Sequence, residues 1–128
     1  MVRIMGKIIM NNFNTQKIQL DIANWTSQEP YAIFLDIERK IKNRLQKKYK
    51  LKIDPKILEE KIRNYKAIYN ITKENLPKYT FPSESGYSEP QYIKNEEIKK
   101  FLTKRFPSED EKILDIIISW VVYYEYLR

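Results

Sequence analysis

Hydrophobic and polar positions change period along this chain. Val2, Ile4, Ile8 and Met10 share one parity, with Gly6 between them. After a polar break at Asn11, Asn12 and Asn14, Ile18, Leu20 and Ile22 alternate with Lys17, Gln19 and Asp21. Period-two alternation on both sides of a polar turn predicts a β-hairpin within residues 1–25. A lone hairpin is barely stable, so its apolar face is expected to rest on the remainder of the chain.

Past Trp25 the period lengthens to that of a helix. Thr26 or Ser27 is the expected N-cap, and Pro30 is tolerable because first-turn amides lack helical partners. Phe34, Ile37, Ile41, Leu45 and Tyr49 then step by three or four residues along one apolar stripe. Asp54 reads as a second N-cap with Pro55 at the first helical position. The helix after it carries Leu58, Ile62, Tyr65 and Tyr69 on one face, with Glu59 and Arg63 as a supporting pair. Residues 27–76 are thus expected to form a basic helical pair.

Pro77, Pro82, Gly86 and Pro90 turn residues 77–92 into a loop that is long for a compact domain. Its aromatic residues, Tyr79, Phe81, Tyr87 and Tyr92, either pin the loop to the core or offer a binding surface. Residues 93–128 predict a C-terminal helical pair. Asn95, Glu96 and Glu97 open its first member, with Ile98, Phe101, Leu102 and Phe106 as its stripe, and Pro107 stops it. Ser108 and Glu111 match a capping box ahead of the last helix. That helix, from Ile113 through Trp120 to Tyr123 and Tyr124, is apolar on most sides, as suits a central core helix or the interface of a homodimer. The expected fold is mainly α (α+β): a single domain over 1–128, a bundle of about four helices with a small N-terminal β-hairpin.

Composition narrows the chemistry more than the fold. With 42% hydrophobic and 32% charged residues the chain is globular rather than disordered. It has no cysteine, so no disulfide framework or thiolate site can form, which fits a cytoplasmic protein. Met1 to Met10 is too short and too charged for a signal peptide. The longest apolar tract, Ile113 to Leu127, is interrupted by Asp115 and Glu125 and falls short of a membrane span. Asn24-Trp25-Thr26 and Asn70-Ile71-Thr72 match the glycosylation pattern and, without a secretory signal, are read as chance. Ile, Lys, Tyr and Asn, all with A/T-rich codons, fill 56 of 128 positions, which a low-GC genome explains. In this the chain resembles small orphan proteins of archaeal viruses and plasmids, and a host cytoplasm is the corresponding setting.

Charge is what changes the functional picture. The net +7 is concentrated in residues 31–76, which hold thirteen basic and six acidic groups; residues 77–128 hold eight and nine. Between Arg39 and Lys52 stand eight basic residues and no acidic one: Arg39, Lys40, Lys42, Arg44, Lys47, Lys48, Lys50 and Lys52. Codon bias explains many lysines but not this clustering. On a helix, Arg39, Lys40, Lys42 and Lys47 fall away from the Phe34–Leu45 stripe, while Arg44 and Lys48 flank it. Fourteen residues at ~1.5 Å each span about 20 Å, enough to follow several phosphates. The face is either a solvated helix surface or an electrostatic footprint for nucleic acid.

Catalytic and cofactor chemistry is not in view. The chain lacks histidine, so it has no imidazole base or imidazole metal ligand. Two glycines, Gly6 and Gly86, are too few for either usual phosphate-cradling loop. Glu38 and Lys40 match the E-x-K of metal-dependent nucleases, but on a helix they point about 200° apart and cannot share a metal. The expectation is therefore a non-enzymatic nucleic-acid-binding protein, without cofactor or metal, using the Arg39–Lys52 face. The alternative is a protein-interaction module: a small subunit or an inhibitor of a larger complex, including a host complex. Tyr79, Phe81, Tyr87, Trp120, Tyr123 and Tyr124 are its candidate surface.

Overall fold

The computed structural model describes residues 15–50, 52–79 and 94–127. These form five α-helices: α1 (Thr15–Ser27), α2 (Phe34–Tyr49), α3 (Pro55–Asn75), α4 (Asn95–Arg105) and α5 (Glu111–Val122). A 3₁₀ turn, Leu76–Tyr79, follows α3, and a π-helical turn, Tyr123–Leu127, follows α5. The bundle expected from the sequence is present, with one more helix than anticipated.

The additional helix is α1, which corrects the second arm of the predicted hairpin. No strand occurs among the described residues. Ile18, Ile22, Ala23, Thr26 and Ser27 are all buried, a four-four spacing with close neighbours that marks one helical face. Ile18 and Ile22 are four apart, which satisfies a period of two as well as one of 3.6, so a five-residue window cannot separate strand from helix. Ala23 and Ser27, buried on the opposite parity, fit only the helical pattern. The first arm of the hairpin, Val2 to Met10, lies outside the described residues.

Two helix starts also differ from expectation. Ser27 ends α1 instead of capping α2, and Pro30 sits in the connection between them. The backbone of Ile33 begins α2, with no side-chain cap. Ahead of α5 the cap is Asp110 rather than Ser108: its carboxylate accepts from the Lys112 N–H at 2.7 Å, and Ser108 is exposed. Either residue could serve by type, but the Glu109 N–H donates to the Phe106 carbonyl at 3.1 Å, so Ser108 lies within that turn and the first helical bonds run to the Asp110 carbonyl. Asp54 caps α3 as anticipated, accepting from the Lys56 N–H at 2.8 Å with Pro55 in the first turn.

The helices α1, α3 and α5 pack on one another as a three-helix centre. Against it lie α2, on α1 and α3, and α4, on α3 and α5. Each helix contributes its stripe: Ile37, Ile41 and Leu45 from α2, Leu58, Ile62, Tyr65, Ile68 and Tyr69 from α3, Ile98 and Leu102 from α4. From α5 come Ile113, Leu114, Ile117, Ile118 and Val121. The apolar character of α5 is thus used largely inside the chain, because three other helices surround it. Trp120 is only half-buried, so it stands at the margin of this core. No described helix is long and apolar enough to cross a membrane.

Candidate nucleic-acid interface

All eight candidate basic residues lie on α2 or directly after it, and all are exposed. The stripe Ile37, Ile41 and Leu45 fixes which way the helix faces, and this turns the cationic side chains outward. Lys50 ends the helix in the left-handed conformation (φ 57°), its N–H donating to the Gln46 carbonyl at 2.9 Å. The chain therefore turns sharply there, and Lys52 follows beside the start of α3.

The structure divides the eight residues into two groups. One flank of α2 forms a ladder with α1. Lys40 pairs with Glu29 at 2.6 Å, the Arg44 guanidinium lies 5.6 Å from the Trp25 ring centroid, and Lys48 pairs with Asp21 at 2.8 Å. Antiparallel packing makes these rungs: four residues forward on α2 answer four residues back on α1. At the last rung the Tyr49 hydroxyl also donates to Asp21. The Asp21 carboxylate beside it raises the Lys48 pKa above the usual lysine value. Arg39 is held separately, by Asp36 at 3.1 Å.

The second group has no carboxylate within ion-pairing distance among the described residues. It comprises Lys42, Lys47, Lys50 and Lys52. Lys42 and Lys52, with Asn43, Gln46, Ile53 and Pro55, line a groove of about 480 Å³ between the outer side of α2 and the start of α3. Lysine ammonium groups along an open groove suit an extended polyanion, to which they offer donors and positive charge, and the Asn43 and Gln46 amides add N–H donors.

The division of the cations by this ladder was not anticipated from the residues of α2. Its signal was nonetheless there: Asp21, Trp25 and Glu29 are spaced by fours, complementary to Lys40, Arg44 and Lys48. Reading residues 17–22 as a strand hid it.

The candidate interaction surface separates too. Phe81 and Tyr87 lie outside the described residues. Tyr79 packs on Phe101 of α4, ring centroids 6.0 Å apart, so it pins the end of α3 to the core. Trp120, Tyr123 and Tyr124 cluster at the end of α5, with centroids 5.1 to 5.8 Å apart. Trp120 donates from Nε1 to the Asn24 side-chain carbonyl at 2.6 Å, and Tyr124 donates to the Gln28 carbonyl. Both bonds tie the end of α5 to α1.

Glu38 and Lys40 stand two positions apart on α2, where Lys40 is engaged by Glu29. No cluster of three or more metal-ligating side chains occurs among the described residues. Neither a known family model, nor a curated protein, nor a solved structure matches the chain.

Proposed function

We propose that this protein binds nucleic acid through the outer face of α2, by phosphate contacts and without chemistry of its own. One observation carries the reading: Lys42, Lys47, Lys50 and Lys52 run from the middle of α2 to just past its end, exposed, with no carboxylate within ion-pairing distance among the described residues and no acidic residue between them in the sequence. Elsewhere some cations are paired and others are not. Lys100, Lys104 and Arg105 on α4 are exposed without an ion pair among the described residues, but there Lys99, Glu96 and Glu97 of the same helix intersperse both signs of charge. Lys99 is paired with Glu111 and Asp115, and Arg63 with Glu59. Uncompensated lysines on a rigid helix repel one another, and a phosphate backbone relieves that repulsion while releasing its own counterions. Such contacts set affinity and register rather than base sequence.

The test compares two sets of four substitutions with equal loss of charge. Lys42, Lys47, Lys50 and Lys52 are changed together to glutamine in one variant. In the other, Lys100, Lys104, Arg105 and Lys112 are changed to glutamine. Fluorescence anisotropy with short labelled oligonucleotides is expected to show at least a tenfold greater loss for the first set. Equal losses would mean that only net charge matters and would overturn the assignment.

A second reading, contact with another protein, is favoured by a different place. Ile33 and Leu35, at the start of α2, are 69% and 66% exposed. With Tyr31, 61% exposed just before them, they put three open apolar side chains at one helix end, which a partner would cover. In this reading Ile33→Ser with Leu35→Ser leaves nucleic-acid affinity unchanged and, if the partner is a second copy, shifts the mass measured by light scattering toward the monomer.

A further inference from the structure

The two candidate surfaces meet at one cleft. Gln28 and Glu29 from the end of α1, Lys40 and Arg44 from α2, and Trp120, Tyr123 and Tyr124 from the end of α5 surround an open space of about 650 Å³. Its size is that of ligand sites. Cationic side chains stand on one wall and a cluster of aromatic rings on the other. Tyr123 is the most open of the three rings, 47% exposed, and meets Trp120 and Tyr124 nearly at right angles (86° and 84°). The ring positions are held from behind by the Trp120–Asn24 and Tyr124–Gln28 hydrogen bonds, so the platform is fixed before any ligand arrives.

We infer that this cleft receives an unpaired base of a single-stranded nucleic acid, stacked on Tyr123, with the adjoining phosphate on Arg44. Aromatic platforms beside cations are the usual means of holding single strands, because every base has a π face. Glu29 also borders the cleft, but it is engaged by Lys40, which leaves Arg44 as the cation without a carboxylate partner among the described residues. The inference rests on the nucleic-acid reading and narrows it.

Geometry favours a single strand over a duplex. Lys42 and Arg44 differ by two residues, about 200° around α2, so the lysine groove and the aromatic cleft open on opposite sides of that helix. Lys47 projects between them over the outer face. A ligand that uses both sites must bend around a helix of about 10 Å diameter. Duplex DNA, with a persistence length of about 50 nm, does not bend so tightly, whereas an unpaired strand does.

The experiment measures anisotropy with labelled oligo-dT, oligo-U and a mixed-sequence duplex, for the unmodified protein, Tyr123→Ala and Tyr123→Phe. Loss of one stacked base corresponds to about tenfold in affinity, within the range measured for such contacts. Tyr123→Ala is therefore expected to weaken single-strand binding about tenfold while duplex binding stays unchanged, and Tyr123→Phe is expected to retain it. Loss with oligo-dT alone or oligo-U alone supports the cleft and shows which of the two strands it accepts. As a second readout, Trp25→Phe leaves Trp120 as the sole tryptophan, and its emission should be quenched by single strands. Unchanged single-strand affinity in Tyr123→Ala, or equal loss on duplex and single strand, would overturn the cleft assignment. The lysine groove would still stand if its glutamine variant lost binding in the same assay. Absence of binding to all three ligands would remove both.

Discussion

At the scale of single residues, Tyr65 shows how a core position can be apolar in function though polar in type. Its side chain is fully buried, and its hydroxyl has no protein partner among the described residues. Burial, reinforced by the nearby Glu109 and Asp110 carboxylates, pushes the phenol well above its ordinary pKa. A buried hydroxyl without a protein partner costs desolvation that a phenyl ring does not. Tyr65→Phe is therefore expected to leave stability unchanged or raise it by up to about 1 kcal/mol, as measured by denaturant unfolding. The same substitution should blunt alkaline denaturation. A phenol whose folded pKa is raised gives stability that is whole below about pH 10 and lost as pH climbs further, since the unfolded phenol then ionises first. Burial, aided by Glu125, raises Tyr69 in the same sense, so the variant should lose part of the alkaline sensitivity and not all of it. A destabilisation of more than about 1 kcal/mol in Tyr65→Phe would show that the hydroxyl does have a stabilising partner.

At the scale of elements, α2 was legible because its pattern runs for sixteen residues: the stripe Phe34, Ile37, Ile41, Leu45 and Tyr49 is buried or half-buried as anticipated. The α3 and α5 helices were legible for the same reason. In α1 the alternating window was only six residues long, and the ambiguity of Ile18 and Ile22 decided it wrongly. Where a helix begins depends on local chain geometry as much as on residue type, which is why Asp110 replaced Ser108 and Ser27 capped nothing. At the other end of α2, Lys50 occupies a left-handed conformation that costs a residue with a Cβ about 1 kcal/mol relative to glycine. Lys50→Gly is expected to stabilise the fold by about 0.5–1 kcal/mol while weakening oligonucleotide binding. Stability and binding moving in opposite directions is the expected signature of a lysine kept for its charge. A gain in stability with unchanged binding would remove Lys50 from the interface.

At the scale of the whole molecule, the sequence located the cations but not their allegiances. Contiguity along the chain made Arg39 to Lys52 visible as one patch. The packing of α2 against α1 then drew Lys40, Arg44 and Lys48 toward Glu29, Trp25 and Asp21, which no pattern within α2 could reveal. The cleft was still less legible, since it joins residues 28–44 to residues 119–124 and exists only because α1 and α5 pack together. For polyanion contact the outer face of α2 keeps four lysines, to which the proposed cleft adds Arg44, and their number fixes a measurable quantity. Each phosphate contact on a single strand contributes a slope of about −0.7 in log affinity against log salt concentration, so five contacts give about −3.5, of which the four lysines account for about −3. The most direct measurement is this slope for the unmodified protein on oligo-dT, set beside the variant with glutamine at 42, 47, 50 and 52. A slope of about −3.5 that flattens to about −0.7 in the variant is expected, and equal slopes for the two proteins would contradict the assignment of the α2 face.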